Sequence, residues 1–185
     1  MTTVTAAMSA IRRQDFLPAD QRALAGVDRP LPIGQGQTNS QPRTVQTMLE
    51  LLQVSPGDRV LDVGAGSGWT TALLGYLVGP QGSVIGVELE ESLAVWGAGN
   101  VAAYDFDWVQ LHPAQQGLGW PEGAPYDRIL VSAAAKEVPQ ELVDQLGPAG
   151  RMVIPVQGVM LVVVPDGQGG WTSTTHGAYR FVQLR

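Results

Sequence analysis

Glycines at 64, 66 and 68 follow the apolar run Val60-Leu61-Asp62-Val63 and precede Trp69 and a second apolar stretch. This is the spacing of a buried strand that ends in a glycine turn and opens into a helix. A ligand can approach the backbone of such a turn with no Cβ in the way. The second chemically suggestive residue is Glu88, which ends Ser83-Val84-Ile85-Gly86-Val87-Glu88. An acid at the tip of the second strand, about 20 residues past the glycines, is where doubly wound folds bind ribose hydroxyls, since a carboxylate accepts from both hydroxyls of a cis-diol. A solvated acid opening the next helix is the plainer role for the same residue. The dinucleotide fingerprint Gly-x-Gly-x-x-Gly would need a glycine at 69, where Trp69 stands. Together these residues point to a nucleoside-type ligand and favour S-adenosylmethionine over a nicotinamide dinucleotide.

Holding a strand end and an acid side by side requires a parallel sheet. Strand-like and helix-like segments alternate from the middle of the chain onward, the pattern of a sheet covered on both faces. Apolar runs predict strands over 59–63, 84–88, 108–111, 128–132 and 151–155. Two later runs, 159–164 and 178–184, have no helix between them and predict an antiparallel pair, separated by the flexible loop Pro165-Asp166-Gly167-Gln168-Gly169-Gly170. Helices are predicted over 41–53, 69–77, 90–104 and 139–146. In the first of these Val45, Met48, Leu49 and Leu52 recur at helical spacing and should face the core. The last starts at Pro139, a favoured first-turn residue, and stops at Gly147-Pro148. The expected fold class is α/β: a Rossmann-like, doubly wound, mostly parallel seven-stranded sheet with a C-terminal antiparallel pair.

Composition narrows the chemistry. The 185 residues carry a net charge of −6, which argues against non-specific nucleic-acid binding through clustered Lys and Arg. No apolar run is long enough to cross a bilayer. Cysteine is absent, so thiolate catalysis and disulfides are excluded, and a reducing, cytoplasmic compartment is expected. Residues 1–10 lack a basic segment followed by an apolar one, so no secretory signal is expected. His112 and His176 have no partner at metal-ligand spacing; neither is expected to bind metal. Of the tryptophans, only Trp120 invites a ligand-facing role, near the expected adenine edge. Nothing in the sequence bears on oligomeric state.

The segment ahead of the first core strand is unusual for a loop. Pro30-Leu31-Pro32-Ile33-Gly34-Gln35-Gly36-Gln37-Thr38-Asn39-Ser40-Gln41-Pro42 mixes stiffening prolines with freeing glycines and ends in small hydroxyl and amide side chains. Ser40 ahead of Pro42 is sufficient to cap a helix; equally, the segment can fold over a ligand at the strand ends and present Thr38 and Ser40 to it. The run PLPIGQGQTNSQP, then PGDRVLDVGAGSGW, then APYDRILVSAAA, then GRMVIPV, resembles the protein-L-isoaspartate O-methyltransferase family, in order and over nearly the whole chain. The closing Tyr179-Arg180-Phe181-Val182-Gln183-Leu184 is similar to that family's last strand.

This resemblance implies an enzyme that methylates the free α-carboxyl of L-isoaspartyl residues in damaged proteins or peptides. S-adenosylmethionine is the methyl donor and S-adenosylhomocysteine the product; the ester then collapses to a succinimide. It implies one methyltransferase domain over 1–185, with a short N-terminal extension over 1–28 and an active-site loop over 29–42. Ser40, with Thr38, would position the acceptor carboxylate, and Gln37, Thr38 and Asn39 would line the cofactor. Asp62, Gly64, Ala65, Gly66, Ser67 and Gly68 would shape the pocket for its methionine end, and Glu88 would hold the ribose. A carboxylate is already ionised near neutrality, so such a site needs placement and dryness rather than a general base.

The chain departs from the family at Ala114-Gln115-Gln116, where members carry Gly-Asp-Gly and the aspartate binds the adenine amino group. Gln115 can still accept that bond, without charge, which predicts weaker cofactor affinity. Gly26 stands where an aromatic is common, and Gln183 replaces a proline. Three other functions fit parts of the sequence: a degenerate member that binds cofactor or a protein partner with little turnover, a methyltransferase with another carboxylate acceptor, and, least well, a Rossmann oxidoreductase.

Overall fold

The computed structural model describes residues 3–185. Helix α1 (Val4–Ala10) is followed by two short 3-10 turns and a small hairpin, β1 (Leu31–Gly34) and β2 (Gln37–Asn39), and then by α2 (Pro42–Leu52). The remainder alternates: β3 (Arg59–Val63), α3 (Trp69–Val78), β4 (Ser83–Glu88), α4 (Glu91–Ala102), β5 (Val109–Pro113), β6 (Tyr126–Val131), α5 (Gln140–Val143), β7 (Leu146–Val156), β8 (Val159–Pro165) and β9 (Trp171–Ala178).

Seven strands form one sheet in the order β5-β4-β3-β6-β7-β8-β9. The first five of that order are parallel, and β8 runs antiparallel to both β7 and β9. The chain crosses from β3 to β4 on one side and later returns to β6 on the other. The C-terminal ends of β3 and β6 therefore border the crevice at which open α/β sheets bind ligands.

Apolar clusters fill both faces of the sheet. Helix α2 buries Val45, Met48, Leu49 and Leu52, the stripe its periodicity predicts. In α3 every residue but Tyr76 is buried, because the helix lies between the sheet and the helices around it. Residues 3–28 are more than an extension: Ala7, Ile11 and Phe16 are fully enclosed in the same cluster as α2 and α3.

Three expectations need correction. The last strand is β9 over Trp171–Ala178 rather than 178–184, and the chain beyond it makes a single parallel bridge, Gln183 to Ala134. Polar Thr172, Ser173, Thr174 and Thr175 form an exposed edge strand, which shows no inward apolar alternation. Tyr179 and Phe181, which look like strand residues, instead pack onto the core from an irregular segment. Helix α5 ends at Val143 because Leu146 already pairs with Tyr126; the register shift that follows absorbs Gly147-Pro148-Ala149-Gly150. Within 29–42, an antiparallel pair replaces the expected loop, with Leu31 and Ile33 facing inward onto Leu17 and Leu93.

Candidate active site

The glycine turn is fastened to the neighbouring strand by backbone and carboxylate alike. The amides of Gly64 and Ala65 both donate to the Val87 carbonyl, at 2.9 and 3.0 Å. The Gly66 amide donates to Glu88 Oε2 at 2.8 Å, and the Glu90 amide to Oε1 of the same side chain at 3.0 Å. Glu88, only 6% exposed, is thus held with its carboxylate at the lip of the crevice. Gly68 sits at φ +91°, and a Cβ there would lie 2.8 Å from Val101 and 2.9 Å from the Gly97 carbonyl oxygen. Its partner Gly97 is equally constrained, since a Cβ would come within 2.8 Å of the Gly66 carbonyl oxygen. Helix α4 therefore packs directly on the turn, which only two glycines allow.

Asp62 lies beneath this floor. It is fully buried, accepts from Thr70 and Thr71 hydroxyls at 2.7 Å each through Oδ2, and leaves Oδ1 with no partner among the described residues. Burial pushes its carboxyl up to about 6, against the opposing pull of the two threonines and with a smaller upward push from Glu88. Its visible task is to tie the start of α3 to β3. It is absent from the cavity wall, as is Gly68, so both shape the pocket from below and neither lines it.

The hairpin supplies the opposite wall. Gln37, Thr38 and Asn39 form β2, and Ser40 follows half-buried. Asn39 is 5% exposed and bridges two regions: its Oδ1 accepts from Arg13 Nε at 2.8 Å, and its Nδ2 donates to Ser67 Oγ at 3.3 Å. Arg13 was not legible as a site residue, yet its guanidinium is buried against Trp69, 5.5 Å from the ring centroid. Desolvation lowers its pKa to about 10, which still leaves it charged at neutral pH.

These walls enclose a cavity of about 1070 Å³. Gln37, Thr38, Asn39 and Ser40 line it from the hairpin, and Gly64, Ala65, Gly66 and Ser67 from the turn. Glu88 lines it at the end of β4, and Gln115 beyond β5. Ten of the twelve residues singled out in the sequence therefore meet around one space. A second cavity of about 600 Å³ adjoins it, and Thr38, Ser40, Ser132 and Val182 belong to both walls. Ser132 directly follows β6, within the strand expected over 128–132; its amide donates to the Val63 carbonyl at 2.8 Å, which places it next to the glycine turn. Trp120 is not in either wall: it stacks on His112 at 4.8 Å, and its amide donates to Gln145.

A glycine turn at the switch point, an acid fixed at the next strand tip and a roomy cavity between them define a Rossmann-like methyltransferase fold. The solved structures agree on the fold: a chain described as a putative protein-L-isoaspartate O-methyltransferase from Plasmodium falciparum, in complex with S-adenosyl-L-homocysteine, superimposes with a TM-score of 0.85 at 24% identity, covering 98% of this chain and 89% of that one. The chain belongs to the protein-L-isoaspartate(D-aspartate) O-methyltransferase family, whose model matches residues 1–184. It is 44% identical to a protein-L-isoaspartate O-methyltransferase of Methanopyrus kandleri, over 98% of this chain and 82% of the relative. To its counterpart in Aeropyrum pernix it is 47% identical, over 83% of this chain and 59% of the relative.

Proposed function

We propose that the protein transfers a methyl group from S-adenosylmethionine to the free α-carboxyl of L-isoaspartyl residues in damaged proteins or peptides. The observation that carries this reading is the shared wall of the two cavities. Thr38, Ser40 and Ser132, three hydroxyl-bearing residues, line both spaces together with Val182. The larger cavity suits the nucleoside and the smaller one an acceptor chain, and in this reading the shared residues border the place where the reacting groups would meet.

The donor set fits the cofactor. The close approach of α4 to the turn leaves bare backbone on the cavity floor, and Glu88 is already oriented by two amides with its remaining lone pairs free for a diol. Gln37 and Asn39 border the same space, and Gln115 takes the place of an adenine-binding acid. S-adenosylmethionine, when bound, supplies an electrophilic methyl group on a sulfonium. An acceptor carboxylate is ionised at neutral pH and needs no base; Ser40 donates a hydrogen bond that holds one oxygen so that the other faces the methyl. The hairpin and residues 182–184 border the space, where they would limit the water around the reacting groups.

The test is transfer of labelled methyl to an isoaspartyl peptide and to its aspartyl twin. Label is expected in the first alone. Ser40→Ala should lower kcat roughly 10- to 100-fold, the worth of one hydrogen bond to a charged group, with S-adenosylhomocysteine affinity little changed. No label in either peptide overturns the reading, and equal label in both points to a different carboxylate acceptor.

A further inference from the structure

The strand that bears the active-site hydroxyls is held by a buried cation that bonds to no carboxylate among the described residues. Arg13 is 6% exposed, and all its hydrogen bonds run to neutral acceptors. Nε donates to Asn39 Oδ1 at 2.8 Å, and Nη1 to the carbonyls of Ala25 and Val27 at 3.2 and 3.0 Å. Nη2 donates to the carbonyls of Arg29, Asn39 and Ser40 at 2.8, 3.2 and 3.0 Å. Asp28 is the nearest compensating charge and acts on the guanidinium only through space, without a direct bond. Burying a cation with no bonded counter-ion is unfavourable, and an apolar side chain would fill the space without that cost. What an apolar residue cannot do is bond the backbone of both residues 39 and 40 at once.

We propose that Arg13 is a positioning residue for methyl transfer, fixing where the Ser40 hydroxyl stands relative to the glycine turn. Two features of the geometry support this. The Ser40 carbonyl is clamped directly, so the backbone that carries the hydroxyl cannot drift. The guanidinium also requires Asn39 to turn its oxygen inward, which leaves Nδ2 facing Ser67 in the turn. One cation thereby ties the acceptor wall to the donor wall. Lysine is a poor substitute, since three donors from one point cannot reach acceptors spread around a planar fork of five.

This inference rests on the function proposed above, in which Ser40 touches the acceptor. It is tested by a double-mutant cycle between Arg13→Lys and Ser40→Ala, reading kcat with an isoaspartyl peptide and, separately, the Kd of S-adenosylhomocysteine. In the wild-type background Arg13→Lys should lower kcat on the order of 10- to 100-fold, as small misplacements of reacting groups do, with Kd changed less than about threefold. In the Ser40→Ala background the same change should cost less than about twofold more, because its effect passes through the missing hydroxyl. Equal losses in both backgrounds, or a Kd that weakens in step with kcat, would overturn the proposal and leave Arg13 a general structural residue. If Arg13→Lys does not fold, Arg13→Gln, which keeps a neutral donor but cannot span the same acceptors, is put through the same cycle and judged by the same outcomes. A wild type that fails to methylate isoaspartyl peptides at all takes down both the proposed function and this inference; additivity in an active wild type takes down this inference alone.

Discussion

The two walls of the site are built by different means. On the donor wall, the turn after β3 hangs on backbone amides, on Glu88 and on the close packing of α4, all within the main sheet and its helices. On the acceptor wall, a separate two-stranded hairpin carries the hydroxyls and is tied to the rest by Arg13, Asn39 and a small apolar cluster of Leu17, Leu31, Ile33 and Leu93. A wall made of backbone geometry resists change until it breaks, whereas a wall made of a few side-chain bonds can be detuned gradually.

The sharpest way to break the donor wall is Gly68→Ala. The added Cβ meets Val101 and the Gly97 carbonyl inside 3 Å, and the φ of +91° is strained for any residue but glycine. Left-handed strain and overpacking together should cost about 3 kcal/mol of stability, read as a lowered midpoint in chemical denaturation with unchanged slope.

An effect of similar size lies under the same wall. Asp62 titrates at about 6 in the folded protein against 3.8 for its ordinary value. Because the folded-state pKa is the higher one, the group's favourable contribution is complete below about pH 4 and is lost as pH rises through 6. The loss by pH 7 is about 3 kcal/mol, from roughly 1.4 kcal/mol per pKa unit. Asp62→Asn should remove that slope, so the wild-type-minus-variant difference in unfolding free energy should fall by this amount between pH 4 and pH 7. A flat difference would mean that the carboxyl is better solvated than its surroundings indicate.

The smallest change tests the one place where the donor wall relies on an exposed amide. Gln115 borders the cavity from the loop beyond β5 with no hydrogen bond of its own among the described residues. Gln115→Asp should tighten S-adenosylhomocysteine roughly fivefold in an equilibrium titration, by adding charge to the bond with the adenine amine.

The same contrast explains what the sequence discloses. The donor wall is legible because its parts are apolar strand runs, glycines and a terminal acid, each with a periodicity or residue type tied to its task. Arg13 is not legible: next to it Arg12 has a side chain 65% exposed and pairs with Asp15 in solvent, and nothing in residue type separates the two. Asp62 is legible only in part: an acid ahead of a glycine turn is expected to shape the pocket, and only its burial tells that it does so from beneath. The edge strand β9 escaped notice because polar β-branched residues facing solvent on an edge carry no inward-outward signal. Gly97 is a packing requirement that only the approach of α4 reveals.

Thr38, Ser40 and Ser132, where the two cavities meet, are proposed to direct methyl transfer to a carboxyl oxygen. The most direct measurement is the chemical position of the transferred methyl on an isoaspartyl peptide, read by fragmentation mass spectrometry before and after mild alkali. A single methyl ester is expected on the isoaspartyl α-carboxyl, released as methanol by alkali and absent from the aspartyl twin. A methyl group that survives alkali, or that sits on nitrogen or on a side-chain hydroxyl, would contradict it.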